Sequence, residues 1–255
     1  MILLPLLAAC EPPPPATEPF NDAAVAALAN FEETTPDVLV RAAEQLEDEI
    51  FAELDLDGDT TVRSLTPERL SEADVSDLDG PDRDPALALP VALAARSPHP
   101  VTAHDPIVLL PDQTELEPFA VSYLRSFSAG EACYPDDCAF VRTDNAITKD
   151  NFVMVMTFDL RKDWRAYALS DGRRARVARG WMEAGATAES GDDRIEQSYA
   201  LELWTEQDDG TTLRLLVLWA ETVMEPASDD TTVALATRLG MNTLFERHDA
   251  WIDAQ

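Results

Sequence analysis

Basic side chains are scarce in this 255-residue chain, where 19 Lys and Arg stand against 49 Asp and Glu and leave a formal net charge of −30. Non-specific nucleic-acid binding needs a basic face that neutralises phosphates, so the composition excludes that class. The same imbalance argues against electrostatic adsorption to anionic lipid. Glycine is scarce too, with nine residues, which argues against glycine-rich phosphate loops. Hydrophobic residues make up 45% of the chain, the proportion of an ordinary globular protein.

The short motifs of the large enzyme classes are also missing. The sequence contains no G-x-S-x-G, no Walker A loop, no G-x-G-x-x-G and no H-E-x-x-H. Its three histidines are His99, His104 and His248, and their spacing predicts no joint site. We expect His248 to be a satisfied core residue of the last helix. A Ser-His-Asp triad assembled in space remains open. These absences favour a non-enzymatic protein over an enzyme.

The apolar N-terminus ends in Leu7-Ala8-Ala9-Cys10, which resembles the lipobox of bacterial lipoproteins. The apolar run is far shorter than the roughly 20 residues that a membrane span needs, so it is typical of a processed signal segment, 1–9. No Lys or Arg precedes it, unlike the usual pattern. The resemblance implies acyl chains such as palmitate on Cys10 and a cell-envelope location. Glu11, in place of Asp, tilts the expectation toward the outer membrane. Prolines between 12 and 19 make 10–20 an extended tether.

The two remaining cysteines, Cys133 and Cys138, enclose a Tyr-Pro-Asp-Asp turn. An oxidising envelope compartment and this turn together predict a structural disulfide between them. The C-x4-C spacing is not the redox-active C-x-x-C spacing.

The region 21–97 reads as acidic and helical. Asn21 or Asp22 is a candidate N-cap for a helix to about Phe31, and Thr35-Pro36-Asp37 is a second helix start. The Asp- and Pro-rich stretch 77–100 is predicted to include a connector, and within it 86–95 is apolar enough to pack. Residues 98–255 then form a predicted antiparallel β domain that ends in an amphipathic helix over about 229–252, so the fold class is α+β.

Apolar residues alternate along the strand candidates of this second domain, and the Trp residues among them are expected in the core or in a cavity wall. The predicted strands are 119–127, 152–160, 164–169, 174–184, 195–204 and 213–224. A curved sheet of six or seven strands closed by a C-terminal helix resembles the START-like helix-grip fold over 118–255. A lipocalin-like barrel is the alternative. The helix-grip resemblance implies an apolar cavity beneath the last helix. That family places two helices after its first strand, where this chain has the Cys133–Cys138 loop.

Asp55, Asp57 and Asp59 lie at alternate positions, which resembles the opening of an EF-hand calcium loop over 55–66. Thr60 stands where that loop has Gly, and Thr66 where it has a bidentate Glu. A calcium site therefore competes with a plain acidic turn between two helices.

Positive charge is concentrated between Arg161 and Arg179, which contains seven basic and two acidic residues. Four of the arginines are candidate contacts for an acidic partner: Arg173, Arg174, Arg176 and Arg179. The alternative is that this hairpin neutralises the acidic helical half of the same chain.

The expected function is that of a lipid-anchored, non-enzymatic envelope lipoprotein that binds a protein partner or an apolar small ligand. Two alternatives are open: an enzyme that uses a helix-grip cavity, and a calcium-stabilised structural module. No cofactor is predicted apart from that calcium ion.

Overall fold

The computed structural model describes residues 22–32, 36–53, 67–135, 140–150, 155–189, 191–224 and 229–255. Within them, no helix is long and apolar enough to cross a membrane.

The chain begins with helices and continues as a sheet. The α-helices are α1 (Ala23–Ala29), α2 (Asp37–Glu53), α3 (Asp105–Leu109) and α4 (Asp230–Asp253). The first four strands are β1 (Leu89–Ser97), β2 (Ala120–Ala129), β3 (Val141–Asp150) and β4 (Val155–Ala168). The others are β5 (Arg174–Trp181), β6 (Ala186–Thr187), β7 (Arg194–Glu206) and β8 (Thr212–Val223). Short 3-10 helices occur at Glu72–Val75, Pro85–Leu87 and Val101–His104.

All strand pairs are antiparallel, in the order β1-β8-β7-β5-β4-β3-β2, with β6 beside β7. The sheet is open, with β1 and β2 at its edges, so the barrel alternative is wrong. Most neighbours in the sheet are joined by short turns, such as Asp208-Asp209-Gly210 between β7 and β8, which makes antiparallel pairing the natural outcome. The long link runs from β1 to β2 through Val101–His104 and α3.

Helices cover both faces of the sheet. On the outer face, α1, α2 and the segment 67–88 pack over alternate residues of β8 and β7, among them Leu215, Val217 and Leu203. On the inner face, Met241 and Phe245 of α4 pack over Leu93 and Leu216. β8 is therefore buried on both sides, which explains why Leu215–Trp219 is continuously apolar.

The helix boundaries follow local capping. The Asp22 carboxylate accepts a hydrogen bond from the amide of Val25 (2.9 Å) and starts α1. The Asp229 carboxylate does the same for Thr232 (2.8 Å) at the start of α4. The expected cap at Asp22 and the expected C-terminal helix are confirmed, whereas Thr35 lies outside the described residues.

Two strands, β1 and β3, have no counterpart among the strands predicted from the sequence. β1 lies in the stretch 77–100 expected to include a connector, and it pairs with β8 from Leu89↔Ala220 to Ser97↔Thr212. Two short helices, Val101–His104 and α3, therefore follow the first strand, which is the element order of the helix-grip resemblance, and the Cys133 loop follows β2. The boundary at 97/98 consequently falls at the end of a strand of the sheet, so 21–97 and 98–255 share one core.

Candidate functional site beneath the C-terminal helix

Polar and charged side chains lie on the inner face of the sheet, where the fold would ordinarily bury apolar groups. Alternation along the strands brings Arg125 of β2, Asn145 of β3, Lys162 of β4 and Glu202 of β7 to this face. All four are at most 8% exposed. We call them the inner charged cluster.

Arg125 is held by uncharged acceptors. Its Nε donates to Asn145 Oδ1 (2.9 Å), and its Nη1 donates to the carbonyls of Ile107 (3.1 Å) and Val108 (2.6 Å) in α3. Among the described residues no carboxylate lies within ion-pair distance of this guanidinium. These uncharged acceptors fix the position of the Arg125 side chain but do not neutralise its charge.

Lys162 and Glu202 form a buried ion pair between Nζ and Oε1. Burial lowers the pKa of Lys162, and Glu202 opposes that change. The ammonium also lies 4.5 Å from the centroid of the Trp164 ring, a cation–π contact that helps to hold it under α4. The chain has two lysines, and one of them lies in this buried cluster.

Next to the charged cluster lie two tryptophans and two histidines, which we call the Trp–His cluster. The Trp204 ring is 4.7 Å from Trp164, 5.2 Å from His104 and 6.3 Å from His248, measured between centroids. All four side chains are at most 5% exposed. The structure therefore brings together two histidines that the sequence had not predicted to meet.

The Trp–His cluster contains polar atoms that have no hydrogen-bond partner among the described residues: Trp164 Nε1, Trp204 Nε1, both ring nitrogens of His104 and Nδ1 of His248. Buried polar atoms without partners are rare because each one costs roughly 1–3 kcal/mol. Five of them in one contiguous group indicate a place where a bound molecule or ordered water supplies hydrogen bonds.

Burial keeps this cluster uncharged near neutral pH. It lowers the pKa of His104 to about 3, with Arg214 and His99 adding to the effect. It also lowers the pKa of His248 well below its ordinary value, again with Arg214 as a further cause. Burial raises the pKa of Tyr123, beside Arg125, to about 12.

Helix α4 is fastened over these clusters by one polar network. Arg214 of β8 donates from Nη2 to Asp249 Oδ2 (2.8 Å) and from Nη1 to the Phe245 carbonyl (3.2 Å). Ser97 at the end of β1 donates to Asp249 Oδ1 (2.6 Å). The C-terminal half of α4 is therefore fixed, whereas its N-terminal half exposes Leu235 and Leu239.

A cavity of about 400 Å³ opens in a cleft at β2–β4, and its lining includes Arg125 and Asn145 of the inner charged cluster together with Asp144, Arg161 and Glu183. No residue of α4 lines it. This cavity is therefore not the apolar cavity beneath the last helix that the helix-grip resemblance implies.

The arginines predicted to contact a partner are mostly engaged within the chain. Arg173 pairs with Glu47 of α2 (2.8 Å), and Arg176 pairs with Asp105 of α3 (2.7 Å). Arg179, 1% exposed, pairs with Asp77 (2.6 Å), Glu32 and Asp163.

This geometry favours the alternative that the β4–β5 hairpin neutralises the acidic N-terminal half. Partner binding stays a prediction, for which Arg174 offers the exposed side chain.

The other predicted site residues lie outside the described residues. These are Cys10 of the lipobox, Cys138 of the expected disulfide, and Asp55, Asp57 and Asp59 of the EF-hand-like loop. Cys133 is described, directly after β2, but its bond to Cys138 remains a prediction. Within the described ranges no group of three or more His, Cys, Asp or Glu could hold a metal ion.

Sequence reasoning did not find the inner charged cluster. Asn145 and Thr143 face inward on β3, so the alternation there is polar and gave no hydrophobic signal. The available signal was a charge placed where a strand should bury an apolar residue, such as Lys162 within the apolar pattern 155–168. That signal is readable only once the strand's inward face is known.

No protein-family model matches the chain, and no curated protein matches it. Solved structures are similar. A START superfamily protein from Mycobacterium smegmatis is 10% identical, with 65% of this chain and 97% of that chain covered and a TM-score of 0.41. The human StarD13 lipid transfer and protein localization domain is 9% identical, with 81% and 94% covered and a TM-score of 0.42.

A third similar structure, the Zhui aromatase/cyclase from Streptomyces sp. R1128, is 14% identical, with 64% and 87% covered and a TM-score of 0.35. The chain itself has an α+β fold, in which the C-terminal helix packs against the inner face of an open antiparallel sheet.

Proposed function

We propose that this protein is a non-enzymatic binding protein that takes a small, largely apolar ligand between α4 and the inner face of the sheet. One observation carries the proposal: the group of buried polar atoms without partners in the Trp–His cluster. A ligand that accepts hydrogen bonds from the indole groups of Trp164 and Trp204 would satisfy two of these five atoms.

The surroundings define what else the ligand must be. Apart from these polar atoms, the walls near α4 are apolar, from Leu93 and Leu216 on the sheet to Met241 and Phe245 on the helix. Apolar walls with a few placed polar groups are typical of small-molecule sites. We expect entry of the ligand to displace the N-terminal part of α4, where Leu235 and Leu239 are exposed.

The same residues support an enzymatic function less well than ligand binding. Catalysis would need a base and a polar partner that converge on a reacting atom. His248 is buried beside Trp204, and Tyr199, a candidate partner, lies on the outer face against α1 and the 67–88 segment. The Ser97–Asp249 contact holds α4 through Arg214, and the histidine group bonded to Ser97 Oγ is the backbone amide of His99 (3.3 Å), which cannot act as a base.

We further propose that the protein is a lipoprotein of the cell envelope, anchored through acyl chains on Cys10. The support is the lipobox-like Leu7-Ala8-Ala9-Cys10 and the proline-rich segment that follows it. The ligand-binding fold would then stand off the membrane on that segment. An outer-membrane location fits Glu11 at the position after the cysteine.

Native mass spectrometry of the full chain tests the ligand. The protein is purified from its envelope with Cys10→Ser, which prevents acylation at that position, and its mass is compared before and after organic extraction. We expect an excess mass that extraction removes and that Trp204→Phe reduces, since that variant loses one indole donor. Trp219→Phe on the outer face is the matched control.

Recovery of an unliganded protein that also binds no apolar compound in a fluorescence displacement assay would refute the proposal. Turnover of an envelope substrate by the purified chain would replace it with the enzyme alternative.

A further inference from the structure

We propose that the ligand of this interior site carries a single negative charge, a carboxylate or a group of the same charge, which pairs with Arg125. The inference rests on the proposed function, because it concerns the same ligand. It is carried by the number of charges beneath α4 and by the way Arg125 is held.

The buried charges do not balance. The inner charged cluster contains two cations, Arg125 and Lys162, and one carboxylate, Glu202. The nearby charges at the edges are already paired: Lys149 with Glu117, and Arg214 with Asp249. Among the described residues this leaves one positive charge unmatched, on Arg125, in a chain whose net charge is −30.

An unmatched buried charge is costly. Removing an ion from water without a counter-ion costs several kcal/mol, and proteins keep such charges mainly where a binding partner neutralises them. The surplus of carboxylates elsewhere in the chain makes the absence of one beside Arg125 more significant. Any of many acidic residues placed on the inner face would have closed the pair.

The hydrogen bonds of Arg125 leave one nitrogen for a ligand. Asn145 occupies Nε, and the carbonyls of Ile107 and Val108 occupy Nη1. Nη2, which offers two donors, takes no part in these three bonds, and the Tyr123 side chain also interacts with the guanidinium through its ring and its hydroxyl. Three bonds to fixed groups pre-orient the guanidinium. Ligand binding therefore avoids the entropic cost of ordering this side chain.

The position of Arg125 also suits an amphiphile. It lies on β2 toward one edge of the inner face, whereas the apolar walls around Met241 and Phe245 lie over β1 and β8 at the other edge. A chain along the walls and a charged end at Arg125 would span the sheet beneath α4, passing the Trp–His cluster. Lys162, paired but adjacent, would strengthen the attraction for the anion.

Isothermal titration calorimetry with two probes of equal chain length, decanoate and decanol, tests the inference. The full chain carrying Cys10→Ser is titrated with each. We expect decanoate to bind at least tenfold more tightly than decanol. Arg125→Gln should weaken decanoate binding at least tenfold and change decanol binding less than threefold, and Arg125→Lys should retain part of the preference.

Arg96→Gln is the matched control, because it removes an arginine from β1 that pairs with Asp209 on the surface. It should leave both affinities unchanged. Equal affinities for the two probes, or decanoate binding that survives Arg125→Gln, would overturn the anionic ligand and leave the binding function standing. If neither probe binds the parent chain, the binding function itself fails. Should Arg125→Gln not fold, the comparison of probes on the parent chain still decides.

Discussion

Individual buried residues show which structural properties a sequence predicts and which it does not. The tryptophans Trp164, Trp181, Trp204 and Trp219 all lie in strands and are buried, as their alternation predicted. His248 is buried as expected, but its Nδ1 has no partner, so the expectation of a satisfied histidine is wrong. Burial follows from periodicity along one element. Hydrogen-bond satisfaction depends on which other elements arrive, and no local pattern encodes that.

The buried histidines should make stability depend on pH. The folded pKa of His104, about 3, lies below the ordinary 6.5, so the unfolded chain binds more protons between those values. Stability is therefore complete above about pH 6.5 and falls as the pH drops toward 3. At pH 5 the contribution of His104 is a loss of about 2 kcal/mol in the free energy of unfolding.

Urea unfolding at pH 7.5 and pH 5 measures this loss. The variant His104→Phe should lose about 2 kcal/mol less than the parent chain over that interval. Identical pH dependence of the parent and His104→Phe would contradict the neutral, buried state assigned to this ring.

The unequal number of charges beneath α4 makes a second prediction at this scale. Glu202→Gln leaves Arg125 and Lys162 side by side without a carboxylate, so we expect a loss of about 3–5 kcal/mol in the free energy of unfolding. Lys162→Met removes the cation that pairs with Glu202 and leaves one buried cation, Arg125, and one buried carboxylate, Glu202, in the cluster. Its cost should be less than half as large. Chemical denaturation of both variants measures the ratio, and equal losses would speak against the charge count.

At the scale of elements, the strands whose inward residues are apolar were predictable and the others were not. The six strand candidates correspond to β2, β4, β5, β7 and β8, with β4 divided in two by its charged middle around Arg161. β3 was missed because its inward positions include Thr143 and Asn145. β1 was missed because prolines and aspartates surround it, and Pro90 lies within it at the edge of the sheet, where a strand tolerates proline.

The N-terminal helices belong to the same core as the sheet, and this is testable. Leu39 of α2 is fully buried in the cluster that includes Leu215 and Val217, whereas Phe51 on the same helix is 37% exposed. Leu39→Ala should cost about 2–5 kcal/mol, as buried leucines do. Phe51→Ala, the matched control, should cost less than about 1 kcal/mol, in the range of surface changes.

Tryptophan fluorescence in urea monitors the sheet, and far-UV circular dichroism monitors the helices. With one core, the two signals should coincide and shift together in Leu39→Ala. A fluorescence transition that stays in place would mean that the helical region unfolds separately from the sheet.

For the whole molecule, most of the clustered positive charge stabilises the fold through internal ion pairs, and the exposed surface is left acidic. The positive charge between Arg161 and Arg179 is largely consumed by carboxylates of the same chain, such as Glu47, Asp77 and Asp163. What remains for solvent is a strongly acidic surface. Such a surface is repelled by anionic lipid headgroups, so attraction between charges cannot hold this protein on a membrane.

Membrane association should therefore depend on Cys10 alone and be indifferent to salt. A single acyl chain gives only marginal binding and stable anchoring needs more than one, which the diacylated or triacylated cysteine of a lipoprotein supplies. Fractionation of cells that express the full chain should place it with the membranes at 0.1 M and at about 1 M salt, because hydrophobic anchoring is not screened. Cys10→Ser should move it to the soluble fraction under both conditions. A protein that leaves the membrane at high salt, or that stays there after Cys10→Ser, would show that another surface makes the attachment and that the lipobox-like segment does not.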